Sequence, residues 1–301
     1  MKKYLVVLTI VLLMLLSVGA VNAQSQIGVT IDGEEVIFTD AAPFIDENSR
    51  TLIPLRAAGE AMGLTVDWDP QQGATFTKEY SWDNAPLHKD LDDDGEIDAY
   101  LGLEKVVFKI GENKAIYEES WYDKDSLPDI NFPIEGGIGE ITMDTAAIIK
   151  DSRIYAPMRY LAEAFRYYVG WEANTVVLNY MTSCEKLGIE FDMIACWEDS
   201  QGWLFTVDEA SEIQALNILN VTLHGNNLKP RELTEDEQLT VYESGEDFGK
   251  YLKGFVVENN LTNNTYYQYQ VKFTVTMKDG SEKFGFANFY LYYRGDQGGY
   301  I

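Results

Sequence analysis

The chain has 301 residues, 23 Lys and Arg against 49 Asp and Glu, a formal net charge of -26 and two histidines. A surface this acidic repels nucleic acid and anionic lipid, so partners of those kinds are excluded. Apolar residues make up 46% of the sequence, enough to build packed cores in two or three units of ordinary domain size.

The first segment, residues 1–23, has the pattern of a secretory signal peptide. Met1-Lys2-Lys3 is charged, Tyr4 to Ala20 is apolar, and Val21-Asn22-Ala23 supplies small residues for cleavage. The apolar run approaches the ~18 residues that span a bilayer, but the small residues favour cleavage over retention as an anchor. The expected location is therefore secreted or cell-surface, with no membrane attachment after cleavage. Losing Lys2 and Lys3 leaves the mature chain more acidic still.

From Ile27 to Phe38 the pattern predicts a hairpin, with Val29 and Ile31 before an Asp32-Gly33 turn and Val36 and Phe38 after it. Ser49-Arg50-Thr51-Leu52-Ile53-Pro54-Leu55-Arg56 follows. Pro54 suits the first position of a helix that carries Leu55, Ala58 and Met62 on one face and stops at Gly63. Leu64, Val66 and Trp68 alternate as a strand.

The same cassette returns as Ser152-Arg153-Ile154-Tyr155-Ala156-Pro157-Met158-Arg159. Arg50, Pro54, Arg56, Glu60 and Trp68 recur as Arg153, Pro157, Arg159, Glu163 and Trp171 with identical spacing, which signals a repeated unit. Arg166 stands where the first copy has Gly63, so the second helix is expected to run longer or to close without a glycine cap. Arg56 with Glu60 and Arg159 with Glu163 have the four-residue spacing of helix pairs. Arg50 and Arg153 are expected to hold loop carbonyls or a carboxylate, and the two tryptophans to cover the edges of small cores.

These residues carry a resemblance. The Asp32-Gly33 hairpin, the Arg50 to Arg56 run, the Glu60-Ala61-Met62-Gly63 helix end and Val66-Asp67-Trp68-Asp69 resemble the copper amine oxidase N-terminal-like, or stalk, domain. The resemblance covers about 27 to 180. It implies a small α+β unit in which an antiparallel sheet curls round a helix, found commonly on exported bacterial proteins and lying, in the oxidases, away from the active site. It does not imply the activity: copper amine oxidase chemistry needs three histidine ligands, and this chain has only His88 and His224. Copper is therefore not an expected cofactor.

Two insertions interrupt the unit, at 83–102 and 118–140. The first contains Asp90, Asp92, Asp94, Gly95, Glu96, Ile97 and Asp98 in the order of a calcium loop. Alternating carboxylates turn inward on a hard cation, Gly95 allows the bend, Glu96 offers its carbonyl and Ile97 anchors the loop. Position twelve is Leu101 where a bidentate acid belongs, so Asp98 or Glu104 has to compensate. The expectation is a structural Ca2+ held weakly, at ~0.1–1 mM. The second insertion, with Trp121, Tyr122 and Gly136-Gly137, is expected to fold over the sheet as a lid.

The region 182–301 lacks the cassette and reads as a separate α+β domain after a first domain at 24–181. Asp208 to Leu219 has helical spacing in Ala210, Ile213, Leu216 and Ile218 or Leu219, while Tyr267 to Met277 alternates strictly up to a Lys278-Asp279-Gly280-Ser281 turn. Cys184 and Cys196 are candidates for one disulfide in an oxidising compartment. The whole chain is thus expected to be α+β. No spacing-defined catalytic constellation occurs. The leading reading is a non-catalytic binding or structural module for cell-wall or extracellular polymer or a surface protein. The alternative is a secreted hydrolase acting on carbohydrate or cell-wall polymer through carboxylates such as Glu235, Asp236 and Glu237, to be recognised by two acids facing across a cleft.

Overall fold

The computed structural model describes residues 27–90, 96–125, 133–196, 200–223, 226–233, 250–262 and 264–293, the side chains of 195 and 196 excepted. The leader, the centre of the acidic loop, His224 and Glu235 to Glu237 lie outside the described residues. The architecture is predominantly β and corrects the α+β expectation. Its described helices are three and short: α1 at Leu55–Ala61, α2 at Met158–Ala164 and α3 at Cys184–Leu187. None is long and apolar enough to cross a membrane among the described residues.

Four sheets make up the body. One of eight strands runs Asn226–Leu228, Ile213–Leu223, Thr265–Met277, Glu282–Tyr293, Thr175–Ser183, Gly28–Ile31 and Glu34–Glu35, with Tyr167–Glu172 also pairing Thr175–Ser183. A six-stranded sheet runs Glu135–Thr142, Lys114–Asp123, Ala99–Phe108, Gly73–Glu79 and Thr65–Asp69, with His88–Lys89 on Ala99–Phe108. A four-stranded sheet orders Ile148–Lys150, Arg153–Pro157, Thr51–Pro54 and Phe44–Ile45; a second orders Ile189–Cys196, Ser200–Val207, Lys250–Glu258 and Arg231–Glu232.

The two cassettes meet in the middle of the first four-stranded sheet. Thr51–Pro54 and Arg153–Pro157 pair antiparallel with Leu52 opposite Pro157, Ile53 opposite Ala156 and Pro54 opposite Tyr155. Ile53 and Ala156 are corresponding positions, so a local two-fold axis passes through that pair. Each proline ends its strand in an extended conformation (φ -61° and -63°) and caps the helix that begins one residue later. Both helices have seven residues. The first closes through Gly63 at φ 72° and the second through Arg166 at φ 63°, the same left-handed turn without the glycine. The symmetry stops outside this unit: Gly28–Ile31 runs parallel to Thr175–Ser183, whereas Gly73–Glu79 runs antiparallel to Ala99–Phe108.

Residues 208–219 do not form a helix. Ile213–Leu223 is a strand whose inward residues are Ile213, Leu216, Val221 and Leu223, with register shifts between Ile213 and Ala215 and between Ile218 and Asn220. Each bulge inserts one unpaired residue and turns a spacing of two into three, which imitates a helical period. The segment Lys114–Asp123 with Glu135–Thr142 extends its sheet edgewise as a hairpin and does not close over it.

Two apolar clusters lie on either side of the shared strand Thr175–Ser183. One is built around Val29, Ile53, Phe76, Phe108, Leu161 and Leu178. The other is built around Trp203, Phe205, Phe255, Tyr269, Phe273 and Leu291.

Candidate functional site

The long hairpin Thr265–Met277 and Glu282–Tyr293 places alternate residues on opposite faces. Tyr267, Tyr269, Val271, Phe273 and Leu291 point into the core and are buried. On the outer face Tyr266 stands directly opposite Tyr292, Gln268 opposite Tyr290 and Gln270 opposite Asn288. Tyr266 and Tyr290 are 71% and 62% exposed, and the rings of Tyr266 and Tyr292 lie 4.5 Å apart. The amides are ordered along the same ladder. Gln268 donates Nε2–H to the Tyr290 hydroxyl at 3.3 Å, and Gln270 donates Nε2–H to Asn288 Oδ1 at 3.1 Å. Partial desolvation of its hydroxyl, then the nearby Glu119 carboxylate, push the Tyr290 phenol above its ordinary value, so it stays neutral.

The result is a flat surface of phenol rings and carboxamides, apolar in its ring faces and rich in neutral donors and acceptors. Its lower end is fixed to the other half of the molecule: Phe284 stacks on Tyr168 at 5.4 Å and Lys272 bonds Glu163 at 3.3 Å.

The acidic insertion sits at the tip of another hairpin, whose stem pairs His88 with Tyr100 and Lys89 with Ala99. Asp98 N–H donates to the Lys89 carbonyl at 3.2 Å, and the Asp98 carbonyl accepts from Lys124 N–H at 2.8 Å. Asp90, Glu96 and Asp98 are described; Asp92 and Asp94 are not. No group of three ligating side chains close enough for a metal occurs among the described residues. Ile97 is 43% exposed and does not anchor the loop in a core. Leu101 is fully buried, and Glu104 cannot serve as the twelfth ligand because it is consumed elsewhere.

Glu104 is the centre of a buried polar cluster. Its carboxylate receives Arg166 Nη1–H at 2.6 Å and a second bond from Nη2, with the hydroxyls of Tyr117 at 2.7 Å and Tyr80 at 2.8 Å. Burial, reinforced by Glu104, drives both tyrosine hydroxyls well above their ordinary range, so they stay protonated donors. Burial alone would pull the Arg166 guanidinium down, but the Glu104 charge more than reverses that. The cluster is a structural clasp: it locks the strand Ala99–Phe108 to the end of α2.

The leading arginines of the cassettes hold carboxylates, as expected, whereas the helix arginines do not pair with the glutamates four residues on. Arg50 pairs with Asp144 at 2.5 Å, and Arg153 donates Nε–H to Asp40 at 2.8 Å. Arg56 and Arg159 are exposed and make no ion pair among the described residues; Glu60 is likewise exposed, and Glu163 reaches Lys272 instead. Trp68 and Trp171 are 39% and 49% exposed. Cys184 is a free thiol pushed up to about 12 by burial, and the Cys196 side chain lies outside the described residues.

Residues 30–82 and 90–179 match the family profile of the copper amine oxidase N-terminal domain. This half of the chain is similar to that domain, which is a non-catalytic part of the oxidases. Neither curated proteins nor solved structures give a match.

Proposed function

We propose that the protein is an exported, non-catalytic module that binds a cell-wall or extracellular polysaccharide through the outer face of its C-terminal hairpin. The observation that carries this is the Tyr266, Tyr290 and Tyr292 surface with its ordered Gln268, Gln270 and Asn288 amides. Sugar rings have apolar faces that stack on phenols and a rim of hydroxyls that such amides satisfy. In this reading the first half is a duplicated stalk-type unit, the second an unrelated appended region, and the leader directs export.

Affinity measured by calorimetry against soluble fragments of wall polysaccharide is expected to fall at least tenfold in the Tyr266→Ala/Tyr290→Ala double variant, with melting temperature nearly unchanged because both rings are exposed. Undiminished binding by that variant would exclude the surface.

The acidic loop is proposed to take one structural Ca2+ through Asp90, Asp92, Asp94 and Asp98 with the Glu96 carbonyl. The crowding of carboxylates supports this, since a cation relieves their mutual repulsion. Millimolar calcium is expected to raise the melting temperature by a few degrees and to give a heat of binding that Asp92→Ala and Asp94→Ala each remove. A protein indifferent to calcium in both measurements sinks the assignment.

A further inference from the structure

Two clefts of matching construction flank the paired cassettes, and neither belongs to the tyrosine face. The first, of about 290 Å³, is lined by Arg50, Asp144, Tyr160, Arg159, Gly170 and Trp171. The second, of about 580 Å³, is lined by Asp40, Arg56, Asp67, Trp68, Ser152 and Arg153. Each is a crossed assembly. The leading arginine comes from one cassette, and the helix arginine and tryptophan from the other. Ser49 and Ser152, which precede the leading arginines, both adopt left-handed φ values, 61° and 59°. Such backbone is costly for a residue with a Cβ, and it is kept at corresponding positions in both copies.

The clefts differ in how their leading arginines are held. In the first, two guanidinium groups face one carboxylate, Asp144, which grips Arg50 through Nε at 2.5 Å. In the second, Asp40 takes both Nε and Nη2 of Arg153. A net positive recess beside an exposed indole runs against the composition of a chain with 49 acids.

We propose that the first cleft binds an anionic sugar, with the ring stacked on Trp171 and its carboxylate or phosphate held by Arg159 and Arg50. Guanidinium groups pair with such oxyanions in a planar fork, and Arg50 is pre-oriented by Asp144. In the second cleft the nitrogens of Arg153 already have partners in Asp40 and the Ser152 carbonyl, so less of that guanidinium is left for a ligand. Uronic-acid polymers and phosphodiester-linked wall polymers both present this chemistry.

The test is calorimetry of the mature protein with a uronic-acid oligomer, a glycerol-phosphate oligomer and a neutral glucan oligomer. The anionic oligomer that binds names the source. Arg159→Ala is expected to weaken it about tenfold or more, the scale of one lost charged hydrogen bond. Arg56→Ala, in the second cleft, is expected to leave that affinity intact, which separates the two clefts. Failure of both anionic oligomers to bind at millimolar concentration overturns the proposal. So does an affinity that Arg159→Ala does not change, and exposed Arg159 can be replaced without disturbing the core.

Discussion

Replacing Arg166 with alanine is expected to destabilise the protein by about 3–5 kcal/mol, a large part of the ~5–15 kcal/mol available to an ordinary domain. The reason is what the substitution leaves behind. Glu104 is fully buried, and without Arg166 its charge keeps only the hydroxyls of Tyr80 and Tyr117. Relief of the left-handed backbone at residue 166 does not offset this, because alanine is strained there almost as much as arginine. Arg166→Gly removes that strain and is expected to be milder by about 1 kcal/mol, yet still destabilised by the orphaned carboxylate. Glu104→Leu combined with Arg166→Met is expected to recover part of the loss, since replacing both members of a buried pair by apolar groups is often nearly neutral, while the Tyr80 hydroxyl loses its acceptor. Urea denaturation of the set decides the matter. Additive losses in the double variant would mean that the two side chains are not a coupled unit.

Arg166 also shows where sequence reading stops. The cassette itself was legible, because its arginines, prolines and tryptophans recur at fixed spacing and each proline fixes where strand gives way to helix. That Arg166 replaces Gly63 was visible too. That it takes the glycine's backbone conformation and turns its side chain to Glu104 was not, since the partner lies 62 residues away on another strand. The hairpin of Thr265–Met277 and Glu282–Tyr293 was legible for a local reason, strict alternation around one turn.

The fold class is hidden from the sequence where local pattern and tertiary pairing diverge. Ile213–Leu223 carries bulges that mimic a helical period, and the parallel pairing of Gly28–Ile31 with Thr175–Ser183 leaves no local signal at all. Likewise, alternation could say that the hairpin has two tyrosine-bearing faces. Only the registry of the two strands brings Tyr266 against Tyr292 and Gln268 against Tyr290, and so turns a strand-forming composition into a surface.

That surface depends on the packing beneath it, so replacing Trp203 with alanine is expected to cost about 3–5 kcal/mol, the usual range for a large aromatic removed from a core. Trp203 is 1% exposed and stacks on Phe191 at 5.3 Å, with Phe289 edge-on at 4.6 Å and Tyr269 at 5.0 Å. Phe289 and Tyr269 are the inward neighbours in sequence of Tyr290 and of Gln268 and Gln270, so the outer ladder loses its support with the indole. The loss should also be local. The two apolar clusters are separate, and the sheet crosses between them through only three paired positions, Met181 with Phe284, Thr182 with Gly285 and Ser183 with Phe286. Hydrogen exchange followed by mass spectrometry is expected to show lost protection in 189–293 of Trp203→Ala, while strands around Phe76, Phe108 and Leu178 keep theirs. Uniform loss across both halves would instead make the shared strand Thr175–Ser183 a rigid coupling, and the tyrosine face and the paired clefts would then rise and fall together with either core.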